Sequence, residues 1–209
     1  MNIYIVILSC HNYRLRRASV RLTWMKRLLP NMTARFVVGA GPVIDELDVV
    51  QLPTDDGWDA LAHKMRDAFR YALRPDQPPW DYLFKCDDDT YLVPERLESA
   101  VIGEYVGRPW EHDESYVQGA GYFLSRRLVE IIANAPDCPD PAWGEDGWVG
   151  FHARANGAWP TPCWRFTDDW KAWPTPENDL ISAHCKHQVE LMFTYHARYV
   201  CATPTVPTI

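Results

Sequence analysis

Near the start of the chain, Ile3 to Leu8 (IYIVIL) is an unbroken apolar run rich in β-branched residues. Such a run reads as a strand covered on both faces within a parallel sheet. From Arg14 to Leu29 the pattern changes. Leu15, Ala18, Leu22, Met25 and Leu29 recur three and four residues apart, which predicts one apolar face of a helix that Pro30 ends. Arg35 to Gly39 and Leu47 to Leu52 read as short strands. Asp59 to Leu73 reads as a second helix, with Leu61, Met65, Ala68, Phe69 and Ala72 inward and Asp59 as its cap. The stretch from Pro75 to Pro79 breaks it, and Tyr82 to Cys86 is then a strand running straight into Asp87, Asp88 and Asp89.

The second half is mixed. Tyr116 to Leu124 is a glycine-interrupted strand, and Ser125 opens a helix through Ala133. Glu145 and Asp146 precede a short helical stretch ended by Asn156 and Gly157. A segment rich in Trp and Pro follows from Trp159 to Pro176, and a last helix runs from Gln188 to Tyr199. Strands and helices alternate as in an α/β layered fold, and 209 residues suit one domain with its own core.

Composition narrows the function. Apolar residues make up 47% and charged residues 23%, which is globular, while the net charge of -7 argues against a nucleic-acid partner. Ile3 to Leu8 is too short for a membrane span, so a cytoplasmic protein is expected, or a Golgi-lumenal one if the chain is an excised domain of a secretory-pathway protein. The six cysteines contain no C-x-x-C pair and read as reduced, buried thiols. Ten tryptophans are the outlier. Their flat amphipathic rings suit both packing and sugar recognition.

Four groups of residues carry candidate chemistry. The aspartates 87, 88 and 89 end a strand, where α/β sheets bind ligands, and alternate carboxylates there can recruit Mn²⁺ or Mg²⁺. An exposed acidic turn would carry the same letters. A D-x-D-x-T phosphatase is disfavoured because Thr90 falls one residue too early and the triplet lies mid-chain. Arg14, Arg17 and Arg21 share a helix face and form a cationic ridge for an anionic ligand. Glu145 and Asp146, between Gly144 and Gly147 and flanked by Trp143 and Trp148, can supply a general base. A capped helix start is the plainer alternative. His184, with Cys185 and His187, has no familiar zinc spacing.

In order, these blocks resemble the inverting beta-1,3-glycosyltransferases of glycosyltransferase family 31, which include Fringe and the beta-1,3-galactosyltransferases. The resemblance rests on R-R-x-x-x-R-x-T-W at Arg16 to Trp24, K-x-D-D-D at Lys85 to Asp89 and G-A-G-Y-x-L-S at Gly119 to Ser125. E-D-x-x-V-G at Glu145 to Gly150 and the histidine at His184 complete the set. Trp164, Trp170 and Trp173 have no counterpart in that pattern.

The resemblance implies a GT-A fold, with a Rossmann-like nucleotide-binding half and a mixed sheet flanked by helices. It implies one catalytic domain over 1–209, with a donor half at 1–115 and an acceptor half at 116–209. It further implies transfer of a hexose or N-acetylhexosamine from a UDP-sugar to an acceptor glycan hydroxyl, through a beta-1,3 linkage. Asp89 and His184 would ligate Mn²⁺ or Mg²⁺. Asp87, which can join that set, and Asp88 would lie beside the donor ribose and diphosphate. Arg17, Arg21 and Lys64 would hold the nucleotide, Gly119 and Gly121 would let the donor sugar approach, and Asp146 would be the base with Glu145 beside it. The competing readings are a carbohydrate-binding protein without catalysis and a retaining enzyme of the same fold.

Overall fold

The structure, a computed structural model, describes residues 1–110, 113–136, 144–168, 171–172, 174–175 and 178–202. Ten strands occur among them: β1 Ile3–Leu8, β2 Met32–Val38, β3 Val49–Gln51, β4 Tyr82–Asp87, β5 Thr90–Leu92, β6 Tyr105–Pro109, β7 Val117–Ser125, β8 Thr161–Pro162, β9 Phe166–Thr167 and β10 Ser182–His184. The helices are α1 Arg14–Leu22, α2 Leu61–Ala72, α3 Pro94–Leu97, α4 Arg126–Ile132, α5 Gly144–Ala155 and α6 Val189–Ala202. Seven strands form one sheet in the order β3-β2-β1-β4-β7-β6-β8, and β5-β10-β9 form a smaller one. This is a mixed α/β architecture with helices on the large sheet, consistent with a GT-A-like glycosyltransferase domain.

The apolar run at the start does what a doubly covered strand must. Ile3, Ile5 and Ile7 face a core completed by Val20, Trp24 and α6 residues Met192 and Tyr195. Tyr4, Val6 and Leu8 face the opposite core, with Met65 and Phe69 of α2, Leu128 of α4 and Trp148 of α5. Parallel pairing sets β1 between β2 and β4, with Leu8 beside Asp87. The chain moves outward from β1 to β2 and β3, then returns to place β4 on the other side. That reversal opens the crevice where such sheets bind ligands, at the carboxyl ends of β1 and β4.

Two expectations shift. The first helix is shorter than its periodicity implies. It stops at Leu22, a 3-10 turn follows over Trp24–Arg27, and its buried positions are Arg17, Ser19 and Val20. Leu15 stays 77% exposed, because the helix turns its arginine toward the protein. In α2 the expected residues Met65, Ala68, Phe69 and Ala72 are buried together with Lys64, but Asp59 forms no cap. The helix that Ser125 was expected to open is capped by that residue: its Oγ accepts from Leu128 N at 3.3 Å at the start of α4. Cys10, Cys86, Cys163 and Cys185 are unbridged, while Cys138 and the Cys201 side chain lie outside the described residues. No described helix is long and apolar enough to cross a membrane.

Trp24 shows how the core holds the acidic turn in place. Its ring is fully buried, and its indole N-H donates to the Thr90 carbonyl at 2.9 Å, one residue past the aspartates. Replacing it removes both core volume and that tether. Trp24→Ala is expected to lower stability by about 3–5 kcal/mol, seen as a reduced urea midpoint at unchanged m-value. Trp24→Phe, which leaves the Thr90 carbonyl unpaired, is expected to cost roughly 1–3 kcal/mol.

Candidate active site

The aspartate triplet lies where the chain passes from the large sheet to the small one. Asp88 N still bonds the Leu8 carbonyl at 3.0 Å, extending the β1–β4 ladder, and β5 begins at Thr90. The three side chains meet different surroundings. Asp88 is buried and accepts from Ser9 Oγ at 2.7 Å and from Arg16 at 3.2 Å. Burial outweighs those donors, with Asp89 adding repulsion, and pushes its pKa up to about 6. Asp89 is also buried, but His184, Arg16 and the His187 N-H outweigh the burial and hold it down to about 2. Asp87 is the most exposed of the three and pairs with Lys85 Nζ at 2.9 Å.

His184 reaches this turn through sheet pairing. β10 runs antiparallel to β5 with His184 opposite Thr90, and Cys185 N bonds the Asp89 carbonyl at 2.8 Å. His184 Nε2 then lies 3.2 Å from Asp89 Oδ1, while its Nδ1 lies 2.9 Å from Asp168 Oδ1. Burial alone would lower its pKa, yet Asp168 and Asp89 lift it to about 9. Asp87, Asp89 and His184 can each offer a ligand atom within 4.8 Å of the others. Two carboxylates and an imidazole fit a divalent cation such as Mn²⁺. The carboxylate of Asp168 on the far ring nitrogen is the outer support that metal-binding histidines commonly have. Lys186 and His187 both adopt positive φ, 47° and 69°. This left-handed pair turns the His187 N-H onto Asp89 Oδ2 at 3.0 Å.

The acid pair approaches from α5. Gly150 lets that helix lie against the start of β7, since a Cβ there would come within 2.3 Å of Tyr116 Cβ. Glu145 and Asp146 fall in its first turn. Glu145 is buried, accepting from Tyr122 Oη at 2.6 Å and pairing with Lys85 Nζ at 3.1 Å. Burial raises its pKa to about 7, with Asp146 and Asp87 pushing the same way against Lys85. Asp146 is only partly buried, and its pKa is also raised, chiefly by desolvation that Lys85 and the Trp110 N-H oppose. Lys85 is fully buried, yet Asp87 and Glu145 keep it charged and raise its pKa. It therefore bridges the acidic turn to the acid pair and also donates to the Gly119 carbonyl.

A β-bulge arranges the floor of the cleft. Gly107 pairs with Tyr122 but Pro109 pairs with Val117, so the register between β6 and β7 shifts. Such bulges re-aim side chains beside binding sites. Gly119 sits in the displaced stretch, where a Cβ would lie 3.2 Å from Glu145 Oε2, 3.3 Å from Lys85 Nζ and 3.6 Å from Asp146 Oδ2. The resulting cleft, about 450 Å³, runs from the acid pair past the acidic turn to Tyr13, Trp58 and Lys64. Lys64 Nζ is buried there between Asp56 at 2.9 Å and the Ser9 carbonyl at 3.0 Å.

Of the residues singled out in the sequence, Lys64, Asp87, Asp88, Asp89, Gly119, Glu145, Asp146 and His184 line this one cleft. Arg17 and Arg21 do not. Arg17 is buried against Glu46, Ser9 and the Cys10 carbonyl, and Arg21 pairs with Glu46 and Asp48. Arg14 is exposed. Gly121 also lies off the cleft, where a Cβ would press within 3.1 Å of Phe84 Cζ. The arginine that does line it is Arg16, 3.2 Å from Asp88 and 3.3 Å from Asp89. The sequence reading gave Lys85 no role beyond opening the K-x-D-D-D block, although a lysine between Phe84 and Cys86 in an apolar strand is itself a signal of a buried charge. Asp168 and Trp110 carry no local signal, and His187, named beside His184 without a role, also lines the cleft. Trp143, Trp170 and Trp173 lie outside the described residues.

The raised pKa of His184 has a consequence for the metal-free protein. Between its ordinary 6.5 and about 9, the folded state binds a proton that the unfolded chain has released. Its contribution to stability is complete below 6.5 and is lost as pH rises through 9. In chelator, thermal melting temperature is expected to fall across that range, and the fall is expected to shrink in His184→Gln. An identical slope in both proteins would contradict the assignment.

The family model described as Galactosyltransferase matches residues 15–112. The match runs from α1 through β4, the acidic turn and β6. Over those residues the chain is similar to galactosyltransferases, and the match supports glycosyltransferase activity.

Proposed function

We propose that the protein is a metal-dependent, inverting glycosyltransferase that moves a hexose or N-acetylhexosamine from a UDP-sugar to an acceptor glycan hydroxyl, forming a beta-1,3 linkage. What supports this most is one convergence: Asp87, Asp89 and His184 gather within 4.8 Å, and a single buried lysine joins them to Glu145, next to Asp146. On this reading, 1–115 is the donor half and 116–209 the acceptor half of one domain. The large sheet runs continuously across that division through β4 and β7.

Asp87, Asp89 and His184 would hold Mn²⁺ or Mg²⁺. A divalent cation bound there supplies Lewis-acid assistance to a departing diphosphate. Arg16 adds a guanidinium on the same side of the cleft, a place that the ridge arginines 17 and 21 leave to it. Lys64 and Asp88 line the wall beside it, Lys64 fixed by Asp56 and Asp88 by Ser9. Asp146 is the base that takes the proton from the attacking hydroxyl. Both Glu145 oxygens are engaged, by Tyr122 and by Lys85, and the group is buried. Glu145 therefore acts by position, holding Lys85 and the start of α5, whereas Asp146 reaches the cleft with its basicity raised by desolvation.

Asp146→Asn is expected to retain UDP binding and to lose on the order of 100-fold or more in turnover, measured as sugar transfer under saturating donor. Full turnover would remove Asp146 from the role of base. Asp89→Ala is expected to abolish Mn²⁺-dependent UDP binding in calorimetry. UDP affinity that is unchanged by chelator in the wild type would count against the metal.

A further inference from the structure

Two exposed tryptophans line the cleft, and they differ in one respect. Trp58 is 80% exposed at the end that holds Asp56 and Lys64. Trp110 is 40% exposed at the other end, and its indole N-H donates to Asp146 Oδ2 at 3.2 Å. The N-H is the sole polar atom of that side chain. Committing it to a carboxylate fixes the ring plane and leaves its apolar surface to the cleft. Tyr116 supports the ring from one side, with centroids 6.1 Å apart and planes at 50°, and Trp110 N meets the Tyr116 carbonyl at 3.4 Å. A large apolar ring held at the solvent boundary, anchored through the group assigned as base, is poorly explained as packing.

We propose that Trp110 is the acceptor platform: a pyranoside lays its C-H face on the indole, which brings a ring hydroxyl of that sugar beside Asp146. The inference rests on the functional reading above and extends it to the class of acceptor and to the residue that selects it. Aromatic rings favour flat amphipathic partners with one apolar face, and a pyranoside with several axial C-H bonds on one side presents such a face. Nucleotide and acceptor then occupy opposite ends of the cleft, with the acidic turn between them. Because the ring is fixed in advance by Asp146, an acceptor pays little to order it. The bond also makes Asp146 a positioning residue for the platform, a role separate from proton transfer.

Methyl β-galactopyranoside, methyl β-glucopyranoside and methyl β-N-acetylglucosaminide serve as probes, titrated by NMR into the full chain with saturating UDP and Mn²⁺. The wild type is expected to bind at least one of them. Trp110→Ala is expected to weaken that binding on the order of tenfold, while Trp110→Phe, which keeps an aromatic face but loses the N-H anchor, is expected to recover only part of it and to leave UDP affinity unchanged. Asp146→Asn keeps an oxygen that accepts the indole N-H and is expected to bind the glycoside like the wild type, whereas Asp146→Leu frees the ring and weakens binding. Undiminished glycoside affinity in Trp110→Ala, or no binding of any probe by the wild type, overturns the proposal. Full turnover in Asp146→Asn would sink the base and leave the platform standing, so the two readings fail separately.

Discussion

One buried charge organises the site. Removing an ammonium from water costs several kcal/mol unless partners replace the solvent, and Lys85 finds its partners on three separate elements. Asp87 lies two residues on in the same strand, the Gly119 carbonyl belongs to the displaced stretch of β7, and Glu145 belongs to the first turn of α5. Each partner must stay where it is for the lysine to remain satisfied. The acidic turn, the bulged strand and the helix start are therefore fixed relative to one another before any ligand arrives.

Around that lysine the carboxylates are pushed apart. Asp88 and Asp89 are adjacent and both buried, yet one is raised to about 6 and the other held near 2. The difference is in the partners: a serine and a shared arginine for the first, two histidines and the same arginine for the second. Glu145 and Asp146 differ likewise, one enclosed with both oxygens engaged and the other at the cleft rim. Neighbouring acids with divergent environments are how one site keeps ion binding, positioning and proton transfer separate.

The supports of these groups come from distant parts of the chain. Asp168 orients His184 from the end of β9, Ser9 reaches Asp88 from the end of β1, and Trp24 ties down the Thr90 carbonyl from below. Glycines 119 and 150 remove side chains where a strand and a helix must come close. These features explain why the site sits at the junction of two sheets and not within either.

The sequence by itself determined the continuous strand at Ile3–Leu8, the strand leading into the aspartates, the helix start at Ser125 and the ordered blocks that carry the family resemblance. These are local facts: an apolar run, a capping side chain and a spacing are each complete within a few residues. It misjudged the face of α1, because apolar periodicity does not reveal that Glu46 and Asp48 wait to pair with Arg17 and Arg21 and draw that side inward. It gave no sign of β6, of Asp168 or of the hydrogen bond from Trp110 to Asp146. Those depend on sheet register, on a bulge and on loops that meet only when the chain is folded. A buried charge or a carboxylate's pKa is set by whatever surrounds it in space, and the order of residues along the chain does not contain that neighbourhood.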